Sequence, residues 1–270
     1  MVPLLYFWET SILLATAQSE ISSDIRANAD SILQLITRAS EAGANLVHFP
    51  ESALSGCVKT HIKDWSTFDW KLLEDQLNRI GTLCADLNIG AVFGSAHSET
   101  IKKRPYNSLF VFDNFGNLQS RYDKRYCSHT EITDWYRAGS SPIIIDVYGI
   151  KLGLAICIEI QFPEIFQEYE HLDVDGILLS AYSDRRMFAI QSQGHAACNN
   201  YWLSLSVPSN LSHKQPSCLI GPDGNIIDRC KNGSPDIIVH KIDPNAAQWD
   251  IPCKKARPWR RKARHGVIYK

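Results

Sequence analysis

The sequence predicts an α/β protein in which mixed sheets lie beneath helices. Apolar runs of strand length alternate with amphipathic stretches at helical spacing, the alternation occurs in both halves of the chain, and hairpin turns separate further strands. Two such sheets packed face to face need one helical layer outside each. With 270 residues, 44% of them hydrophobic, the chain can bury a sizeable core, and single α/β domains reach this length.

Ile12–Ala17 reads as the first core strand. Glu9 interrupts the apolar start and no basic segment precedes it, so a signal peptide is not expected. Asp24 is a good N-cap for a helix whose Ile25, Ala29, Ile32, Leu35, Ile36 and Ala39 recur on one face, and Gly43 ends it. Leu46–Phe49 is the next strand. Leu72, Leu73, Leu77, Ile80, Leu83, Cys84 and Leu87 trace a second amphipathic helix, followed by the strand Ile89–Phe93. Strands between Ser108 and Tyr122 flank the turn Asp113–Gly116. Another hairpin pairs Pro142–Val147 with Lys151–Ile156 across Tyr148 and Gly149. After it come a helix from about Phe162, the strand Gly176–Ser180, a helix over Met187–Asn199, the strand Leu203–Val207, and a last hairpin turning at Pro222–Asn225.

The net charge of −1 gives the whole molecule no strong field for nucleic acid or an acidic membrane. Of the 28 Lys and Arg, eight fall in residues 254–270, which hold no acid; the other 20 face all 29 acidic residues, a balance of −9. Trp259, Ile268 and Tyr269 interleave this basic tail with apolar anchors, which a solvated nucleic-acid-binding arm does not need. Eight cysteines are scattered without C-x-x-C or Cys/His ligand spacing, which argues against a disulfide framework or zinc site and for a reducing, cytoplasmic setting. No apolar run reaches the length of a membrane span.

Three segments carry chemistry. Cys157 closes the apolar run Lys151–Ile156 and precedes a helix start marked by Pro163, so the thiol is expected on a sharp strand-to-helix turn, beside free N–H groups that lower a thiol pKa. Glu51 ends a strand in LVHFPESALSG, and Lys124 ends another in RYDKR. Singly each is ordinary. In the order Glu, Lys, Cys, each at a strand end, they supply a general base, a cation and a nucleophile.

These motifs resemble those of the nitrilase superfamily of carbon–nitrogen hydrolases: FPE with Glu51, Y-x-K with Tyr122 and Lys124, and C-x-E-x-x-F-P-E from Cys157 to Glu164. ILLATAQ, AGANLVHFPE, NSLFVF and CLIGPDGNIID are also similar to the family pattern, so the likeness runs from about Ile12 to Asp243. The resemblance implies one domain over residues 1–270 folded as a four-layer α-β-β-α sandwich, a Glu51–Lys124–Cys157 triad, and no metal or organic cofactor. It also implies a second glutamate, Glu131, ahead of Tyr136 and Gly139, that orients Lys124. Two positions depart from the family pattern: Tyr126–Cys127 stand where many members have His-Leu, and Gln161 replaces an arginine.

The chemistry these residues permit is hydrolysis of an amide through a thioester. Cys157 attacks, Lys124 and the backbone N–H of Ile158 hold the developing oxyanion, and Glu51 moves the protons. One oxyanion donor is worth about 3–4 kcal/mol. Tyr182, Arg185 and Arg186, on the loop after Gly176–Ser180, are candidate substrate contacts, either arginine able to bind a carboxylate bidentately. His129 and His195 read as structural or surface residues. The expected substrate is a small linear amide, with nitriles, N-carbamoyl compounds and acyl transfer open to the same triad. A catalytically silent binding protein on this fold would lack a triad member, and all three are present. The resemblance further implies a homodimer, with the basic tail contributing to its contact.

Overall fold

A computed structural model describes residues 10–100 and 103–269. Its elements, in chain order, are β1 (Ile12–Gln18), α1 (Ile25–Glu41), β2 (Leu46–His48), α2 (Trp70–Leu87), β3 (Gly90–His97), β4 (Tyr106–Phe112), β5 (Leu118–Asp123), β6 (Ile144–Val147), β7 (Ile150–Ile156), α3 (Pro163–His171), β8 (Gly176–Ser180), α4 (Met187–Asn199), β9 (Trp202–Ser206), β10 (Cys218–Ile220), β11 (Ile226–Arg229), β12 (Asp236–Ile242) and α5 (Arg257–Arg264). They form two six-stranded mixed sheets, ordered β12-β1-β2-β3-β4-β5 and β11-β10-β9-β8-β7-β6. In each sheet three neighbouring parallel strands are joined by two crossover helices, and antiparallel strands extend the edges.

Strand alternation divides the core into layers. In the first sheet Leu14, Leu46, Val92 and Leu109 point inward, where they meet Leu152, Leu154, Leu178 and Trp202 of the second. Val47, Phe49 and Phe93 point outward under the buried faces of α1 and α2. Ala155, Ile177 and Leu203 do the same under α3 and α4. The result is the four-layer α-β-β-α sandwich. Asp24 caps α1 as expected, accepting from the N–H groups of Arg26 at 2.8 Å and Ala27 at 3.3 Å. Among the described residues no helix is long and apolar enough to cross a membrane.

The basic tail forms α5, an element the sequence pattern did not show. It lies against the ends of α3 and α4 of its own chain: Arg257 and Arg261 each reach Asp173 at 3.0 Å, and Arg261 and Arg264 grip the two oxygens of the fully buried Glu170 at 3.1 and 3.0 Å. Part of the body's acidic excess is therefore met within the chain. Lys270 lies outside the described residues.

A polar seam centred on His48 crosses the apolar interior between the sheets. The ring of His48 bonds Ser204 Oγ through Nδ1 and Ser180 Oγ through Nε2, both at 2.8 Å, and Ser204 Oγ meets Thr16 Oγ1 at 2.7 Å. Complete burial lowers the His48 pKa to about 3 from its ordinary 6.5. Between these values the unfolded chain binds a proton that the native ring refuses, so stability falls as pH falls from 6.5 toward about 3, by up to about 1.4 kcal/mol per pH unit. Denaturant unfolding across this range should show a shallower acid-side loss for His48→Gln than for the natural protein. Equal slopes would mean that His48 does not fold as a neutral ring.

Candidate active site

The C-terminal ends of β2, β5 and β7 open on one edge of the sandwich, and Glu51, Lys124 and Cys157 stand there. This is where α/β sheets present ligands, because the chain leaves the sheet and its polar groups are free to converge. Ser52, with φ 61°, turns the chain sharply after Glu51, and Gly94 leaves room for that turn: a Cβ on it would lie 2.3 Å from Ser52 N. Cys157 itself has φ 51°, a strained value for a non-glycine residue that turns the thiol out of β7 into a short helical turn over Cys157–Gln161. Pro163 then begins α3.

Lys124 is the centre of the arrangement. Only 1% exposed, its ammonium donates to Glu51 Oε1 at 3.0 Å and to both oxygens of Glu131 at 2.8 and 3.1 Å. Burial opposes the charged form, yet the Glu51 and Glu131 carboxylates outweigh it and hold the Lys124 pKa well above its usual range. Burial likewise works against the Glu131 carboxylate, but Lys124 and the N–H of Ser128 (2.7 Å) keep its pKa lowered. Glu51 is fixed at both oxygens: Asn107 Nδ2 donates to Oε1 at 2.7 Å and the backbone N–H of Tyr182 to Oε2 at 2.9 Å. Gly139 N–H binds Lys124 O at 2.8 Å, and a Cβ there would sit 2.2 Å from Asp123 O, so the glycine after Tyr136 is a close-approach requirement.

The thiol of Cys157 corrects one expectation. The turn geometry argued for a lowered pKa, but burial and then the Glu51 carboxylate push it well above the usual thiol range, against the pull of Lys124. The resting site therefore favours a thiol, and any attack by this sulfur would need a base to take its proton.

Glu51, Lys124, Glu131, Cys157 and Ile158 line one cavity of about 330 Å³, together with Tyr182 and Arg185. Tyr182 takes part twice, as a residue of the cavity wall and through its backbone N–H on Glu51. Arg185 lines the cavity and is exposed, with the neighbouring Asp184 carboxylate as its electrostatic partner. Arg186 lies outside the lining, at the residue preceding α4. His195 stacks on Phe166 at 3.9 Å and contacts Ile160 O at 3.0 Å, packing behind the Cys157 turn rather than entering the cavity. At the first departure from the family pattern, Tyr126 rests on Phe162 with ring centroids 4.5 Å apart; at the second, Gln161 lines the cavity.

Two residues not singled out for roles in the sequence hold this geometry. Asn107 bridges Glu51 at 2.7 Å and Glu131 at 3.2 Å, so one amide spaces the two carboxylates. Glu159, fully buried, accepts from the N–H groups of Ile156 (2.7 Å), Arg125 (2.7 Å) and Tyr126 (3.1 Å) and from the Tyr122 hydroxyl (2.8 Å), tying the end of β5 to the Cys157 turn. Its place in C-x-E, two residues beyond the thiol, was the available signal.

The profile of the carbon-nitrogen hydrolase family matches residues 13–250. The chain belongs to this family. It is 29% identical to a formamidase of Nitratidesulfovibrio vulgaris over 168 residues, covering 59% of this chain and 49% of that protein. It is 26% identical to an omega-amidase of Mus musculus over 164 residues, 58% of each. A glutamine-dependent NAD(+) synthetase of Aquifex aeolicus matches at 23% over 238 residues, 83% of this chain but 41% of the relative. The matches thus span about half the length of these curated relatives. In fold the chain is similar to an amidase from Nesterenkonia sp., with a TM-score of 0.77 at 18% identity over 97% of this chain and 98% of that one.

Lys124→Arg should cost turnover by about 10²-fold or more, the scale of one lost oxyanion donor, because a planar guanidinium does not fit the slot of a compact ammonium between two carboxylates. Steady-state kinetics beside circular dichroism of the folded variant measure this. Natural activity in Lys124→Arg would remove Lys124 from the reaction.

Proposed function

We propose that this protein is a cysteine-dependent amidase that releases ammonia from a small linear amide through a thioester on Cys157. The observation that carries this reading is the buried Glu51–Lys124–Glu131 cluster sharing one cavity with Cys157. Relatives named formamidase and omega-amidase support it, as does an amidase mutant of similar fold that holds the acetamide moiety of fluoroacetamide on its active-site cysteine.

In this reading Glu51 takes the Cys157 proton as sulfur attacks the carbonyl carbon. Lys124 and the backbone N–H of Ile158 stabilise the oxyanion. Glu51 returns the proton to nitrogen, the C–N bond breaks and ammonia leaves. Glu51 then takes a proton from water, the hydroxide attacks the thioester, and the expelled sulfur regains that proton as the acid departs. Glu131 keeps Lys124 charged and aimed. Arg185, exposed in the cavity lining, anchors a carboxylate at the far end of the substrate. All eight cysteines are free thiols, in keeping with a reducing, cytoplasmic setting.

Ammonia release should be abolished in Cys157→Ala and nearly so in Cys157→Ser, with the fold retained; turnover by folded Cys157→Ala would overturn the reading. A screen of amides, nitriles, N-carbamoyl and ω-amido acids identifies the substrate class. Arg185→Leu should raise KM for ω-amido acids roughly tenfold while leaving neutral amides unchanged. An equal effect on both would remove Arg185 as an anchor.

We also propose a two-fold homodimer to which the tail contributes. Deleting residues 254–270 should give monomer or insoluble protein in sedimentation, and a soluble dimer would contradict this.

A further inference from the structure

His48 is a fully buried titratable residue that the proposed reaction does not use, and the hydrogen count of its seam gives the seam a direction. A neutral imidazole offers one N–H and one lone pair, and a hydroxyl has a single hydrogen. Ser180 Oγ donates that hydrogen to Phe49 O at 2.7 Å, so toward His48 it can only accept. The ring proton is therefore on Nε2. Nδ1 must accept from Ser204, whose oxygen then accepts from Thr16. Every donor runs one way, from Thr16 through Ser204, His48 and Ser180, and the chain ends on the carbonyl of Phe49, two residues before Glu51.

The two ends of that last bond lead directly into the site. Two residues beyond Phe49 is the Glu51 carboxylate; two residues beyond Ser180 is the Tyr182 N–H that holds Glu51 Oε2 at 2.9 Å. Ser180–Phe49 and Tyr182–Glu51 are successive rungs joining the sheets. The first sets the spacing at which the second forms. With its proton fixed on Nε2, His48 obliges Ser180 to spend its only hydrogen on Phe49; without that donor the hydroxyl is free to turn away.

We propose that His48 is a positioning residue for Glu51, acting through Ser180 to hold the ends of β2 and β8 at the separation the Glu51 carboxylate needs. This rests on the reading of Glu51 as the general base. Placement errors on the scale of an ångström cost about 10²-fold in rate, so loss of the rung should appear in kcat while the rim that binds substrate is untouched.

The test compares five variants of the full-length protein. Ser180→Ala and His48→Leu should lower kcat roughly 10- to 100-fold with KM within about twofold. His48→Gln, whose amide N–H can reach Ser180, should recover kcat to within about fivefold of the natural protein. Ser206→Ala is the matched control: on β9 beside Ser180, it removes an equally buried link between the sheets, Ser206 Oγ to Ala17 O at 2.6 Å, through a hydroxyl that bonds neither Phe49 nor Glu51. It should lower the melting temperature comparably and leave kcat within about twofold. Ser180→Ala behaving like Ser206→Ala, or His48→Gln as slow as His48→Leu, would overturn the proposal. Glu51→Gln tells the two readings apart: if it keeps its activity, the assignment of Glu51 as the base fails instead.

Discussion

Burying an ammonium is costly unless opposite charge comes with it, and Lys124 is buried with two carboxylates. The cluster they form carries one excess negative charge in a region that water barely reaches. Burial first, and that excess second, raise the Cys157 pKa, and in the proposed reaction they also set the route of activation. Moving the thiol proton onto Glu51 exchanges a carboxylate for a thiolate beside the same ammonium, so the net charge of the cluster does not change. A preformed thiolate would add a second negative charge to the same space. On the proposed function, proton transfer in concert with attack is therefore favoured over a resting ion pair.

Much of the surrounding structure keeps these few groups in register. Lys124 and Cys157 sit at the ends of strands in different sheets, yet Glu159 ties their backbones together with three N–H bonds and a tyrosine hydroxyl. Asn107 spaces Glu51 from Glu131, and the Tyr182 N–H brings the second sheet onto Glu51. Removing one partner from such a set exposes the others as buried, unpaired groups, at about 1–3 kcal/mol each and more when charged. On the proposed function, catalysis and fold stability thus share contacts at this edge of the sandwich.

Glu51, Lys124 and Cys157 were legible in the sequence because each lies at the end of a short apolar run whose period is local, and their order resembles a known family. Glu131 was legible only through that resemblance; it occupies a wide helical turn over Glu131–Trp135 with no hydrophobic period to announce it. The state of Cys157 was misread for a physical reason. A strand-to-helix turn is visible locally, whereas the burial that chiefly raises its pKa, and the Glu51 carboxylate that adds to it, come from tertiary packing and the other sheet. His48 gave no signal at all, its partners Ser180 and Ser204 lying 132 and 156 residues away. The helix α5 was hidden by its composition: its arginines satisfy acids of α3 and the turn after it rather than forming an apolar stripe.

The central claim is that the substrate's acyl group passes through the sulfur of Cys157. Acid quenching during steady turnover of the fastest amide, followed by peptide mass spectrometry, tests it most directly. The account predicts a mass gain equal to the acyl group on the peptide bearing Cys157, removed by hydroxylamine as a thioester would be. Acyl label on any other residue, or none during sustained turnover with slowed deacylation in deuterated solvent, would contradict it.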